Sequence, residues 1–344
     1  MYLGSIFSLI IFGLLSMFLV LSSLYNALIN MQLFYSLVLL IILMGLVVGH
    51  YWEYKLVIVN EKDRLKEEKI ELFDLMVVLF TLLGTLLTFY INNSLELGGV
   101  VASSMVGLLG PIFFPKLQRA IFCGSFAGMA STMIFTNVWW VALAGILSGL
   151  LLAFSREIYD GFGGKLGASG FFGTVTASLL AGEFILTNEN VVLKSDINIA
   201  FYFIIGAVIT YYVNKINKTG TVLASSAIGL IGGLILPIVY GGLTGVSYAV
   251  ALFCGTFVGM TIIDRLTTEF YLFISSFMGS IIYFYSQVNF VGLGGKLGTT
   301  AFASVVSWWG LMYLYDMAID PPQQQGRRRR VKSRPGKIDN ILTS

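Results

Sequence analysis

Segments of about 20 apolar residues recur along almost the entire chain, and they limit the fold more than any other feature. An α-helix rises about 1.5 Å per residue, so each segment matches the roughly 30 Å of hydrocarbon in a bilayer. Charged residues make up only 11% of the sequence, compared with about 25% in soluble domains. The period-two alternation of barrel strands is absent. The sequence therefore predicts an all-α polytopic membrane protein and excludes a water-soluble globule.

Charged residues, glycines, prolines and polar turns divide these segments into about 12 predicted transmembrane helices. We place them at 2–24, 31–52, 71–91, 98–115, 119–136, 138–155, 167–186, 198–213, 221–240, 247–263, 269–287 and 296–315. A broken or re-entrant helix remains open around Pro111, Pro115 and Pro237.

Basic residues in the short loops predict the orientation, because they concentrate on the cytoplasmic side of a membrane. The arginine-rich run from Arg327 to Arg330 places the C-terminus inside, and an even helix count then places the N-terminus inside as well. The basic loop residues that also fall inside are Lys116, Arg119, Arg156, Lys165, Lys215, Lys218 and Arg265. Only Lys194 and Lys296 fall outside. We expect an integral protein of the cell membrane with both termini in the cytoplasm.

The second part of the chain repeats the first. Gly98–Gly110 aligns with Gly220–Gly232. After a short insertion near Gly241, Phe122–Met129 aligns with Phe253–Met260, and the pentapeptide Gly163–Gly167 recurs as Gly294–Gly298. Because each copy contains five predicted helices, an odd number, the second copy has to enter the membrane from the opposite side. The sequence thus predicts two inverted five-helix repeats preceded by two N-terminal helices.

This organisation divides the chain into six parts. They are two N-terminal helices (1–52), a charged cytoplasmic segment (53–70), repeat 1 (71–186), an external linker (187–197), repeat 2 (198–315) and a basic, disordered cytoplasmic tail (316–344). The charged segment is expected to be a solvated helix that extends the third membrane helix. The N-terminal helices are expected to be a peripheral brace or an oligomer contact, and a homo-oligomer stays open. The tail is expected to contact anionic membrane lipids and no nucleic acid.

The duplicated Gly-Gly-Lys-Leu-Gly sequence precedes the last helix of each repeat. Its free backbone amides and its lysine are a combination that stabilises anions. The alternative is a glycine turn for tight packing, with the lysine reaching the membrane interface. Inverted symmetry would place Lys165 at the inner face and Lys296 at the outer face.

Small and hydroxylated residues recur in the other two matched blocks. They provide grooves for helix packing, and their hydroxyls could also line a pathway. The predicted pathway residues are Ser103, Ser104, Gly124, Ser125, Gly163, Gly164, Lys165, Ser225, Ser226, Gly255, Thr256, Gly294, Gly295 and Lys296. Glu183, the deepest carboxylate by the predicted helix bounds, is either interfacial or a candidate coupling carboxylate.

Residues for catalysis, cofactor binding and metal binding are scarce. The single histidine, His50, adjoins Tyr51 and Trp52 and is expected in an interfacial aromatic belt. Cys123 and Cys254 are expected to be buried small residues. We therefore predict no catalytic site, no metal or cofactor site, and no enzymatic activity.

The layout of two inverted five-helix repeats resembles that of urea channels and several secondary carriers, although none of their signature residues is present. The resemblance implies transport and does not identify a substrate. We expect a permease, either a channel or a secondary transporter, for a small solute or ion, with the pathway between the repeats. An anion is slightly favoured by the two lysines. The alternative is a non-transporting membrane scaffold or receptor subunit that recruits a cytoplasmic partner.

Overall fold

The computed structural model describes residues 2–59, 69–187 and 196–319, and these residues form 12 α-helices and no β-strand. The helices are α1 (Tyr2–Ile29), α2 (Leu33–Glu53), α3 (Leu72–Asn93), α4 (Gly99–Phe113), α5 (Gln118–Ala127), α6 (Val138–Phe154), α7 (Lys165–Ala181), α8 (Ile197–Asn217), α9 (Thr221–Tyr240), α10 (Gly242–Gly259), α11 (Glu269–Ser286) and α12 (Lys296–Ile319). A π-helical turn at Tyr54–Val59 continues α2, and a 3₁₀ turn at Pro115–Leu117 joins α4 to α5. The all-α prediction is confirmed.

Six of the helices are long and apolar enough to cross a membrane by length and composition. They are α1, α2 with its π-helical turn, α3, α8, α9 and α10. α4 and α6 are apolar but shorter, at 15 and 17 residues. These long apolar helices are compatible with an integral membrane protein.

α5 is the largest departure from the predicted helix bounds. The sequence predicts a helix over 119–136, but α5 ends at Ala127 after 10 residues, followed by turns up to α6. The matched helix α10 ends at Gly259 instead of the predicted 263. A 10-residue helix spans only about 15 Å, so α5 alone is too short to cross a bilayer.

Unusual backbone conformations occur at aligned positions of the two repeats. Left-handed φ angles, rare for residues other than glycine, occur at Glu96 (55°) and at the aligned Lys218 (49°). Tyr159 (52°) and the aligned Phe290 (54°) form a second such pair. The repeats therefore share a local backbone design as well as a sequence.

Glycines bring the helix backbones into direct contact, again at aligned positions. A Cβ atom at Gly124 in α5 would overlap the carbonyl oxygen of Thr81 in α3. At the aligned contact, a Cβ atom at Gly255 in α10 would overlap the carbonyl oxygen of Phe203 in α8. The predicted packing role of the glycines in the Phe-Cys-Gly blocks is therefore visible in the contacts.

The two N-terminal helices pack on the second repeat. α2 contacts the backbone of α12, where a Cβ atom at Gly310 would overlap the carbonyl oxygen of Gly45. In α1, Asn26 donates a 2.8 Å hydrogen bond from Nδ2 to the carbonyl oxygen of Tyr285 in α11. These contacts fit the predicted brace. Residues 60–68 of the predicted charged segment and residues 320–344 of the tail lie outside the described residues.

We expect Gly255→Ala to destabilise the protein, because the added methyl group collides with a backbone oxygen that cannot rotate away. The expected loss is about 1 to 3 kcal/mol, measured as a lower midpoint of thermal unfolding in detergent. Gly13→Ala is the control, since its new methyl group would lie 3.9 Å from the nearest atom, the His50 ring. Equal stability of the two variants would contradict the close approach of α10 and α8.

Candidate functional site

A cavity of about 490 Å³ lies between the two repeats. The first repeat contributes most of its wall, from α3, α5, the end of α6 and the segment that leads to the Gly-Gly-Lys turn. The second repeat contributes Thr221 and Val222 at the start of α9, and Phe257, Met260 and Ile262 at and beyond the end of α10. The cavity therefore lies where the two repeats meet.

Basic side chains outnumber acidic ones in the cavity wall. Four cationic residues line it, together with two acidic residues, Glu157 and Asp160. The cationic residues are Lys116, Arg119, Arg156 and Lys165. The cavity wall thus carries more basic than acidic side chains.

Ion pairs fix the position of two of these cations. Arg156 contacts the buried carboxylate of Asp74 in α3, with Nε 3.3 Å from Oδ1. Arg119 contacts Asp160 at the same distance, but both side chains are more than half exposed, so this pair adds little stability. Partial burial opposes ionisation of Asp160, but Arg119 and Lys165 outweigh it and lower the pKa of this carboxyl below its usual value. Asp160 is therefore negatively charged at neutral pH.

Aromatic rings close the inner end of the cavity. Phe126 of α5 and Phe257 of α10 occupy aligned positions, both line the cavity, and their ring centroids lie 4.7 Å apart, edge to face. Phe122 and Phe253 pack against them, at 4.4 Å from Phe126 and 4.6 Å from Phe257. We call these four rings the phenylalanine cluster. The four side chains are almost fully buried, and two of them, Phe126 and Phe257, form part of the cavity wall.

The two Gly-Gly-Lys turns meet beside this cluster. A Cβ atom at Gly164 would overlap the carbonyl oxygen of Gly298, and one at the aligned Gly295 would overlap the carbonyl oxygen of Gly167. Both Gly164 and Gly295 are left-handed, with φ of 81° and 83°, so glycine is required on two grounds. The expectation that the turns lie at opposite faces is wrong, because the structure packs them against each other.

The lysines of the turns bond to backbone carbonyls and do not extend to an interface. Lys165 donates from Nζ to the carbonyl oxygen of Ser155, and Lys296 donates to the aligned Ser286 at 3.2 Å. Lys296 also donates to the carbonyl oxygen of Asn289 at 2.8 Å. Each lysine therefore holds the chain segment before its turn, and only Lys165 reaches the cavity wall.

The predicted pathway hydroxyls are buried in two arrangements. Ser103 in α4 bonds to Ser125 in α5, with their Oγ atoms 2.9 Å apart. The aligned pair in the second repeat, Ser225 and Thr256, is 2.7 Å apart. Ser104 and Ser226 instead lie where α4 and α9 pack together, each against a glycine of the other repeat. Of the predicted site residues, only Gly163, Gly164 and Lys165 line the cavity itself.

Glu183 lies apart from this arrangement. α7 ends at Ala181, a left-handed Gly182 follows, and Glu183 is exposed in the loop beyond it. The sequence predicted a helix continuing to 186 and therefore made this carboxylate the deepest one. The structure does not place Glu183 in the cavity wall.

Sequence reasoning missed a buried polar network that includes His50. Its ring lies between α1 and the segment before the first Gly-Gly-Lys turn, where Nε2 is 2.9 Å from Ser16 Oγ and Nδ1 contacts the Tyr159 hydroxyl. His50 is only 6% exposed, so the expected interfacial position is wrong. Neither of its partners is close to it in sequence, so no local signal marks the network.

Glu53 joins this network to the second repeat. Its Oε1 accepts a 2.7 Å hydrogen bond from the backbone N–H of Tyr159, and its Oε2 lies 3.6 Å from Arg265 Nη1. The Arg265 guanidinium also lies over the Phe162 ring, 4.5 Å from its centroid. The network thus holds residues 159–162, which border or line the cavity, against α2 and the loop after α10.

No protein-family model, no curated protein and no solved structure matches the chain. Its function therefore has to be argued from its own residues.

Only one of two aligned methionines lines the cavity. Met260 lines the cavity, whereas the aligned Met129 packs near Gly99. We expect Met260→Cys to react faster than Met129→Cys with a water-soluble thiol reagent in the purified protein, followed by mass spectrometry. The native Cys123 and Cys254 are fully buried and should contribute a low background. Equal rates at the two new cysteines would contradict a cavity open on one side only.

Proposed function

We propose that the protein is an integral membrane permease, a channel or a secondary transporter, for a small solute or ion. The observation that carries this proposal is the cavity between the repeats, which ends on the aligned residues Phe126 and Phe257. A solute that enters the cavity would have to pass this cluster to reach the other side. The structure described here corresponds, in this proposal, to a state that is open on one side.

The proposal includes an inverted arrangement of the two five-helix repeats and about 12 membrane crossings, some made by short helices and turns. Support comes from contacts that occur in reciprocal pairs. Where a residue of repeat 1 contacts a residue of repeat 2, the two aligned residues contact each other in the same way. Gly164 meets Gly298 while Gly295 meets Gly167, and Gly163 meets Phe257 while Gly294 meets Phe126. Reciprocal pairs of this kind are what a pseudo-two-fold axis between the repeats produces.

The orientation in the proposal follows from the distribution of basic residues. Lys116, Arg119 and Arg156 surround the cavity, and the positive-inside rule assigns such residues to the cytoplasmic side. The cavity then faces the cytoplasm, and both termini are cytoplasmic. The cell membrane is the proposed location.

The charge of the cavity supports an anion as the permeating species. Four cationic and two acidic side chains line it, and because Asp74 behind the wall neutralises Arg156, an excess of one positive charge remains. Positive potential in a cleft raises the local concentration of anions and their rate of entry. Neutral solutes would gain nothing from this arrangement.

Flux into proteoliposomes that contain the purified protein tests the proposal. The assay follows uptake of chloride or bromide beside an uncharged solute such as glycerol, with protein-free liposomes as the blank. Uptake above the blank for any of these solutes is the expected result. The absence of flux for all of them, together with a stably co-purifying cytoplasmic protein, would instead support the scaffold alternative.

Lys116 and Arg119 are exposed residues of the cavity wall, and we call them the cavity entrance. Neutralising them should slow anion uptake. We expect Lys116→Gln combined with Arg119→Gln to lower the initial rate by a few-fold at low ionic strength, with a smaller effect in high salt because salt screens the field. Lys218→Gln removes an exposed charge outside the cavity and serves as the control. An unchanged rate in the double variant would contradict the electrostatic role of the entrance.

A further inference from the structure

Where α4 packs against α9, each helix directs one serine hydroxyl at the other helix. Ser104 in α4 lies against Gly229 in α9, and Ser226 in α9 lies against Gly107 in α4. In both cases a Cβ atom on the glycine would overlap the serine Oγ. The two contacts occupy aligned positions of the repeats, and in each helix the serine and glycine are three residues apart and share a face.

Both hydroxyls are fully buried, and neither has a hydrogen-bond partner among the residues that the structure describes. Several other buried helical serines bond to the carbonyl four residues earlier, as Ser276 does to Leu272 at 2.7 Å and Ser307 does to Ala303 at 2.6 Å. Ser104 and Ser226 do not form this bond. Within the described residues, Ser275 and the aligned pair Thr88 and Thr210 also lack a partner. Leaving a buried hydroxyl unpaired is unfavourable. Thr88 and Thr210 pack within their own repeats, whereas Ser104 and Ser226 lie where the two repeats meet, which points to a ligand bound between the repeats.

The surroundings of the hydroxyls select the charge of that ligand. Cδ2 and Cε2 of Phe122 lie close to where a Cβ atom on Gly107 would be, and the same atoms of Phe253 lie close to where one on Gly229 would be. Both hydroxyls can donate a hydrogen bond to a negative charge, and the basic residues of the cavity wall favour the approach of an anion over that of a cation.

The position of the hydroxyls relates them to the cavity. Phe122 and Phe253 belong to the phenylalanine cluster, whose other members, Phe126 and Phe257, close the cavity. The serines therefore lie next to the two rings of the cluster that do not line the cavity. The glycines keep the two helices in contact there, so the ligand has to be small and stripped of most of its water.

We propose that Ser104 and Ser226, beside the rings of Phe122 and Phe253, bind a small monovalent inorganic anion of halide size. The proposal rests on the permease function and narrows its substrate class. An anion attracted by the basic entrance passes the cluster and exchanges part of its hydration for the two hydroxyls. The pair then forms an inner site, reached when α4 and α9 separate by about the width of an ion.

The probe for the inner site is bromide, whose anomalous scattering locates it in crystals of the whole protein. We expect bromide within hydrogen-bond distance of Ser104 Oγ or Ser226 Oγ. Combining Ser104→Ala with Ser226→Ala should abolish this signal and lower bromide flux by about a hundredfold or more, as expected for losing two hydrogen bonds to an ion. Ser276→Ala removes a buried hydroxyl that has a partner and should leave both readouts unchanged.

Thermal unfolding separates a loss of binding from a loss of fold. Because the two hydroxyls are unpaired within the described parts of the chain, their removal should not lower the unfolding midpoint. A double variant that unfolds at the wild-type midpoint and transports bromide normally would overturn the inner site. Bromide density found only at places other than the two serines would overturn it as well.

The outcomes also distinguish the inner site from the permease function. Flux of glycerol without binding or flux of bromide would overturn the anion site and leave the permease intact. Bromide bound at the two serines without flux of any solute would support the site and overturn the permease.

Discussion

Direct backbone contact at glycines is the constraint on which the rest of the structure depends. Hydrocarbon supplies no hydrophobic drive for helices to associate, so close packing at small residues has to hold such a bundle together. Here each such contact occurs twice, at aligned positions. Gly124 contacts Thr81 as Gly255 contacts Phe203, and Gly164 contacts Gly298 as Gly295 contacts Gly167. The last two contacts join the repeats to each other. A side chain larger than hydrogen at any of these positions would separate the surfaces that enclose the cavity and the phenylalanine cluster.

The two repeats differ in charge at the segments before their glycine turns, which we call the charged end and the uncharged end. The first repeat carries Arg156, Glu157 and Asp160 before its glycine turn, and the aligned residues of the second repeat are uncharged: Gln287, Val288 and Val291. The charged end contains the cavity, and at the uncharged end Val288 and Leu293 are buried. In the proposed function, apolar packing therefore closes one end, while ion pairs and the buried Glu53 and Arg265 pair shape the other. Opening either end would disrupt a different kind of interaction, so the two open states would differ in stability even though the backbones match.

The sequence predicted the helices well because their signal is local. Long apolar runs ended by glycine or charge gave the twelve helices and most of their bounds, and the self-alignment identified the positions that form matched contacts. The early end of α5 at Ala127 was not predictable from hydrophobicity, since the residues that follow are still largely apolar. Their turn is held from outside, for instance by the 2.8 Å hydrogen bond from Ser131 N–H to the carbonyl oxygen of Gly292.

The site was predicted less completely, because its geometry arises from contacts between residues far apart in sequence. Ser104 and Ser226 were identified only as members of a hydroxylated stretch, and nothing in one sequence indicates which of two adjacent serines finds a partner. Ser103 and Ser225 find one, and their neighbours do not. The same reason explains the misplacement of His50, whose partners Ser16 and Tyr159 come from opposite sides of α2 in sequence. The sequence identifies candidate residues, but only the folded structure shows which of them contact each other.

The most direct test of the account is the sidedness of two aligned loop residues. Glu96 and Lys218 occupy the same position in the two repeats, share a left-handed backbone and are both exposed. Single cysteines at Glu96→Cys and Lys218→Cys can be labelled with an impermeant thiol reagent in intact cells, and again after the membrane is opened. The inverted arrangement predicts that Glu96→Cys is labelled from outside and Lys218→Cys only after opening. Labelling of both from the same side would contradict it.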